Sequence, residues 1–139
     1  MGDIVTFGVD GLVYGAPVEW LDGVDTLGAI TRLPGAPGYV RGLTNRRGYL
    51  LPVLDLSALL GRSPRDSDRP LIVTLKAGPL VAALGVDDAP NIVSIAEEDI
   101  RPTTHTPSDL LEGSVVSDAH GEIAILRPEA LLRVAIVHE

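Results

Sequence analysis

A chain of 139 residues with 45% apolar side chains suffices for one domain that buries roughly 68–70% of its unfolded surface. Its net charge of −8 excludes the basic surface that holds nucleic-acid phosphates or anionic membranes, and its lack of cysteine excludes disulfides and thiolate metal sites. Fifteen glycines, eleven prolines and a single Phe and Trp argue against a helical bundle and for short strands packed through Val, Leu, Ile and Ala.

In chain order, residues 4–9 and 12–18 read as two strands across the hairpin signal Asp10-Gly11. Pro17 lies inside the second run, and because proline cannot donate to a ladder it belongs on an edge or at a bulge. Residues 19–31 fit either a bent strand or one helical turn. Residues 39–44 and 49–54 form a second strand pair around Asn45–Gly48, with Pro52 inside it. The segment 55–61, "DLSALLG", reads as a short helical turn capped by Asp55 and ended by Gly61. Residues 61–70, "GRSPRDSDRP", carry no aliphatic side chain and read as a linker that divides the chain near residue 65.

The second half repeats the pattern, with strands at 71–75, 80–86 and 91–95. The run 80–86 is rich in alanine, but its short length between turns favours a strand. Ser94–Glu97 has the spacing of a capping box. A loop at 99–109, strands at 113–117 and 122–126, and a terminal helix opened by Pro128 complete the chain.

The search for chemistry gives no positive sign of an enzyme. His105, His120 and His138 stand in loops or at the terminus, without a second ligand at metal spacing, and read as solvated. Asp87 and Asp88 are adjacent on a strand and point to opposite faces, so they do not share a substrate. Glu97-Glu98-Asp99 reads as a solvated turn, although an acid–base enzyme using Asp87 with these acids stays conceivable. "GAPGYVRG" meets neither the P-loop nor the dinucleotide-fold spacing. No apolar run reaches the ~20 residues of a spanning helix, and Met1-Gly2-Asp3 lacks the basic start of a signal peptide, so a cytoplasmic protein is expected. Neither a cofactor nor a metal is expected. What remains is interaction chemistry: interrupted edges near Pro17 and Pro52, and Arg47 on a turn. The guanidinium of Arg47 either meets a partner's carboxylate or carbonyls, or caps carbonyls within the fold. Binding of a phosphorylated partner or nucleotide by Arg46-Arg47 is a further possibility.

The stretch Ile30 to Leu56, "ITRLPGAPGYVRGLTNRRGYLLPVLDL", resembles the signature of CheW-like domains. Asn45, Arg47, Gly48, Pro52, Val53, Asp55 and Leu56 fall in register with that family's Gly-Val-x-Asn-x-Arg-Gly and Pro-Val-x-Asp-Leu motifs. "YGAPVEWLDGV" (14–24), "ALGVDDAPNIVSI" (83–95, with Asp87 in register), "LEGSVV" and "EIAILRPEALL" extend the resemblance over essentially the whole chain. It therefore implies a stand-alone CheW-type protein rather than a domain fused to a kinase.

The resemblance implies a mostly β fold of two five-stranded SH3-like barrels packed side by side, with short helical turns and a short C-terminal helix. The expected subdomains are about 12–65 and 66–128, with the termini crossing between them. It also implies a non-catalytic adaptor that links chemoreceptor tips to the regulatory domain of a chemotaxis histidine kinase. Such a protein contacts neither nucleic acid nor the bilayer directly, and is a monomer or weakly self-associating. Carried over by register, Arg47, Val18, Leu21, Gly23, Ile92 and Val93 are the receptor-groove candidates, while Asn45, Gly48, Pro52, Asp55 and Asp87 hold the motif's structure. Alanines at 82, 83 and 89 stand where bulkier aliphatics are common in the family, and three further positions depart from its pattern. Gly23 replaces a Glu, Arg46 an apolar residue and Arg127 an Asp.

Overall fold

The computed structural model describes residues 2–63, 67–102, 109–117 and 119–136. Eleven strands alternate with short turns: β1 (Gly2–Val9), β2 (Leu12–Pro17), β3 (Leu21–Thr26), β4 (Ile30–Thr31), β5 (Val40–Arg46), β6 (Tyr49–Leu54), β7 (Leu71–Ala77), β8 (Leu80–Val86), β9 (Asn91–Ile95), β10 (Leu111–Ser117) and β11 (Gly121–Leu126). Helix α1 (Leu56–Leu59) follows β6, and α2 (Pro128–Ile136) follows β11. The ambiguous segment 19–31 divides into a 3-10 turn at Val18–Trp20, then β3 and β4.

The turn chemistry carries the local structure. Asp10 and Gly11 have φ of 53° and 80°, and Arg47 and Gly48 have φ of 55° and 87°. Both are two-residue hairpin loops with two left-handed positions, whose twist matches that of the strands they join. The Asp55 carboxylate accepts from the amides of Ser57 and Ala58 and so caps α1, and Gly61 follows with φ 89°. The capping box expected at Ser94–Glu97 does not form. Ala96 is the cap residue of the Glu97–Asp99 turn, and the Ser94 hydroxyl donates instead to Asp3 at 2.6 Å.

The strands form two sheets, with orders β10-β11-β2-β1-β9 and β3-β7-β8-β6-β5-β4. This partition does not follow a cut near residue 65. Residues 21–86 build the six-stranded sheet, and the five-stranded sheet joins 2–17 to 91–126. The reason lies in two parallel pairings, β11 with β2 and β6 with β8, which stitch early strands to late ones. Pro17 ends β2 rather than marking an edge, since β2 lies between β11 and β1. Pro52 does sit where pairing lapses: the β6–β8 ladder consists of Val53↔Ala83 and Leu54↔Leu84, and begins just after it.

One core cluster spans both sheets. It joins Val5, Phe7, Val9 and Tyr14 to Leu54, Val73, Leu75 and Leu84, and α2 closes over it through Leu131 and Leu132. A smaller cluster of Ile4, Val115, Ile123 and Ile125 fills the five-stranded sheet's other face, and Val53, Ile72 and Ala83 fill that of the six-stranded sheet. A sheet apolar on both faces must be covered on both, which explains why β8, LVAALGV, is apolar along its whole length rather than alternating.

The polar stretch 61–70 is docked at its C-terminal end. Asp68 accepts from Arg32 at 2.8 Å and from Arg41 at 3.2 Å. Burial pushes the Asp68 carboxyl up, but hydrogen bonds from Arg32 and Arg41 outweigh it and hold the pKa below the ordinary 3.8. The contribution is therefore present at neutral pH and is lost as pH falls through that depressed value. Because Arg32 is more than half exposed, Asp68→Asn is expected to cost about 0.5–1 kcal/mol at neutral pH, and less in acid once pH falls below the depressed value. Urea unfolding at neutral and at acid pH measures the difference.

Candidate functional site: a basic and apolar hollow at the β5–β6 turn

Because β6 and β8 meet only from Val53 onward, the first half of β6 diverges from β8 and leaves an open hollow of about 500 Å³. Its lining comes from four places: Asp22 on β3, Arg46, Arg47 and Tyr49–Leu51 on the β5–β6 hairpin, Lys76 on β7 and Val81 on β8. Tyr49 and Leu50 are 73% and 67% exposed, which makes this rim strongly apolar. Lys76 and Val81 are a register pair at the end of the β7–β8 hairpin, so two hairpin ends frame the hollow.

Arg47 stands at the turn with its side chain exposed, and makes no hydrogen bond or ion pair among the described residues. The carbonyl-capping alternative for this residue is therefore not what the structure holds. The Asn45 side chain accepts from the Gly48 amide at 3.0 Å and stabilises the turn that presents Arg47. A left-handed backbone costs a residue with a β-carbon roughly 1–2 kcal/mol, and Asn, Asp or Gly carries that cost more easily. Arginine is an unusual choice there on conformational grounds alone.

Arg46 behaves differently. Its guanidinium bonds to Asp25 at 2.7 Å and to Asp22 at 3.0 Å, and the side chain is 11% exposed. The hydrogen bond to Asp25 holds its pKa above the ordinary arginine value, against the opposing effect of burial. A β-carbon built on Gly23 would collide with Arg46 Nη2 and Cζ. Two of the three departures from the family pattern are thus one packed unit: Gly23 leaves the space into which Arg46 lays its guanidinium across β3. Arg127, the third, is exposed just before α2.

The six groove candidates do not line one hollow. Arg47 lines the one described, and Gly23 lies behind Arg46 in its wall. Leu21, half-buried, packs on the core between the sheets. Val93 packs on the smaller cluster of the five-stranded sheet. Ile92 is in register with Val5 on β1, and Val5 in turn with Ala16 on β2, so all three share the face turned toward the core between the sheets. On the outer strand β9, Ile92 remains 57% exposed at the rim of that face. Val18 follows Pro17, which is separated from Val93 by Ile4 alone, two strand spacings or about 10 Å. Val18 and Leu21 bracket the 3-10 turn that leads into β3, and Leu21 is followed by Asp22, which lines the hollow.

Of the motif residues, Asp55 caps α1, and Asp87 accepts from the Asp10 amide at 2.8 Å and from Arg69 at 2.9 Å. Glu97–Asp99 follow β9 beyond its pairing with Gly2, whereas Asp87 sits beside Gly8 and Asp10. The two acid groups lie at opposite ends of β1, about 25 Å apart. They do not form one acid–base site. His120 follows β10 at a turn; His105 and His138 lie outside the described residues. The exposure of Tyr49-Leu50 and the participation of Lys76 and Val81 escape sequence reasoning, because β6 is apolar at successive positions and periodicity cannot assign its faces.

A family model described as CheW-like domain matches residues 3–135. The chain is similar to a probable chemotaxis protein CheW of Rhizobium etli, 38% identical over 58% of this chain and 52% of that one. It is also similar to a chemotaxis protein CheW of Rhizobium meliloti, 36% identical over 68% of this chain and 59% of that one. The chain thus spans between half and three-fifths of the length of these curated relatives. The crystal structure of the scaffolding protein TtCheW from Thermoanaerobacter tengcongensis superposes with a TM-score of 0.81 at 28% identity, covering 94% of this chain and 86% of that one.

Proposed function

Because the chain belongs to the CheW-like domain family across residues 3–135, we propose that it is a non-catalytic adaptor joining chemoreceptor tips to the regulatory domain of a chemotaxis histidine kinase. In this reading it acts in the cytoplasm and reaches receptor arrays through its partners, with no cofactor. Arg47 carries the reading: a guanidinium without a partner among the described residues, held at a conformationally costly turn position beside the apolar pair Tyr49-Leu50. Its planar fork suits a partner's carboxylate or the last carbonyls of a helix, and Tyr49-Leu50 supply apolar area next to it. Val18, Leu21 and Ile92 extend the contact along the rim between the sheets.

Arg47→Asn separates a binding role from a structural one. Asparagine accepts left-handed backbone more readily, so folding stability should hold or rise by a few tenths of a kcal/mol, while partner affinity falls about tenfold with the lost charge-assisted bond. Calorimetry with a receptor-tip segment and with the kinase regulatory domain measures the affinity, and urea unfolding the stability. Failure of the native chain to bind either partner would sink the adaptor reading. Unchanged affinity in the variant would remove Arg47 from it.

The Gly23–Arg46 unit favours a second reading, in which the chain binds a receptor or another partner of a motility array without coupling it to the kinase. Its guanidinium and two carboxylates occupy a wall of the hollow where the family pattern has a Glu and an apolar residue. Receptor-controlled kinase activity in an array reconstituted with this chain would exclude that alternative.

A further inference from the structure

The five-stranded sheet ends in two outer strands, β9 and β10. On β10, Ser114 exchanges both backbone hydrogen bonds with Arg101, at 2.7 and 2.8 Å. Alternate residues of a strand send their backbone polar groups to the same side, so the N–H and C=O of Val116 face the same way, away from β11. No described residue meets them. Upstream of Arg101 the chain curls into the Glu97–Asp99 turn, through the bonds Asp99 N–H to Ala96 O and Ile100 N–H to Glu97 O, and leaves the edge.

The surroundings of this open edge are apolar and acidic. The Val116 side chain is 79% exposed. Hollows of about 330 and 490 Å³ on either side of it share Asp99, Val115 and Val116, and Val93 and Ile95 of β9 line the first. Glu97, Glu98 and Asp99 have no ion pair among the described residues, and the Arg101 guanidinium is taken up by the carbonyls of Glu98 and Ile100. An exposed strand edge with an apolar flank and unpaired carboxylates is complementary to an extended, basic segment.

We propose that the β10 edge at Val116 accepts, as an added strand, an extended segment of a partner protein with apolar side chains at alternate positions and a Lys or Arg set against Asp99. The ladder supplies main-chain bonds to Val116, the hollows take the alternate side chains, and Asp99 selects for positive charge. This surface lies on the other sheet from Arg47 and is independent of the adaptor reading, since its test uses neither kinase nor receptor.

The probe is the blocked peptide Lys-Val-Thr-Val-Thr-Lys, titrated into the isotope-labelled chain and followed by amide chemical shifts and hydrogen exchange. Shifts centred on Val116 and Ser117, with slowed exchange at the Val116 amide, are expected. Val116→Pro removes the outward N–H while leaving the Val115↔Ile123 pairing to β11, and should weaken binding roughly five- to tenfold. Asp99→Asn leaves the backbone untouched and should weaken binding about two- to fivefold, as should a peptide with Glu in place of both lysines. The proposal is overturned by any of three results: no response on β10 at about 1 mM peptide, equal binding by the Val116→Pro chain, or equal binding of the Lys and Glu peptides.

Discussion

Arg69→Met is expected to destabilise the fold by about 3–5 kcal/mol, the cost of stripping a buried cation from the carboxylates it neutralises. The Arg69 side chain is 4% exposed and bonds to Asp10 at 2.8 Å, to Asp87 at 2.9 Å and to Asp55 at 3.4 Å. Asp10 sits on the β1–β2 turn of one sheet, while Asp55 and Asp87 flank strands of the other, so a single guanidinium fastens the two sheets together. The Ser57 hydroxyl also donates to Asp10 at 2.7 Å, and the Asp87 amide to the Gly8 carbonyl at 2.8 Å, which bring α1 and the end of β8 into the same knot. Without the cation, three carboxylates face one another, and Asp55 is buried.

Burial works against the Arg69 charge, yet the Asp10 and Asp87 carboxylates more than offset it and raise the pKa above the ordinary arginine value. A raised pKa contributes stability that is complete below the unfolded value and is lost as pH rises through the folded one, so Arg69 stays charged at neutral pH. Urea unfolding at neutral pH measures the effect, and a loss below about 1 kcal/mol would show that the three carboxylates relax into water instead. Arg69→Lys should fall between the two, since an ammonium cannot hold three carboxylates in one planar fork.

Arg69 also shows where sequence reasoning stops. Residues 61–70 have the composition of a free linker, and nothing in "RDSDRP" distinguishes the arginine that turns inward from one that faces water. Its partners lie 14 to 59 positions away, a separation local patterning cannot bridge. For the same reason the two sheets could not be divided from sequence, because parallel pairing of β2 with β11 leaves no turn signal. Local chemistry was legible: Asp10-Gly11, Asp55 with Gly61, and Pro128 all act where their residue types place them. At the site, the motif locates Arg47 on its turn. The hollow beside it arises from the point where β6 meets β8, a tertiary fact that Pro52 hints at without fixing.

Gly23→Ala and Arg46→Leu are expected to be strongly non-additive. The alanine methyl needs the space that Arg46 Nη2 and Cζ occupy, so either β3 shifts against β7 or the guanidinium leaves Asp22 and Asp25. Because the guanidinium is the movable end of its side chain, the cost is capped by the loss of its bonds to two half-exposed carboxylates, at about 1–2 kcal/mol. Arg46→Leu removes the cation from two carboxylates that are 41% and 33% exposed, and solvent screening limits that loss to about 1–2 kcal/mol. Once Arg46 is gone the alanine meets no obstacle, and the double variant should be no less stable than Arg46→Leu alone, a coupling of at least about 1 kcal/mol. Unfolding curves for the four chains decide it, and additive losses would mean that the cost of Gly23→Ala does not arise from Arg46. The coupling bears on binding as well. Asp22 lines the hollow and Arg46 ties it to the strand that presents Arg47, so displacing Arg46 frees Asp22 beside Arg47. That unpaired carboxylate would compete for the guanidinium, and Gly23→Ala should therefore weaken the partner contact of Arg47 although residue 23 itself offers no side chain to a partner.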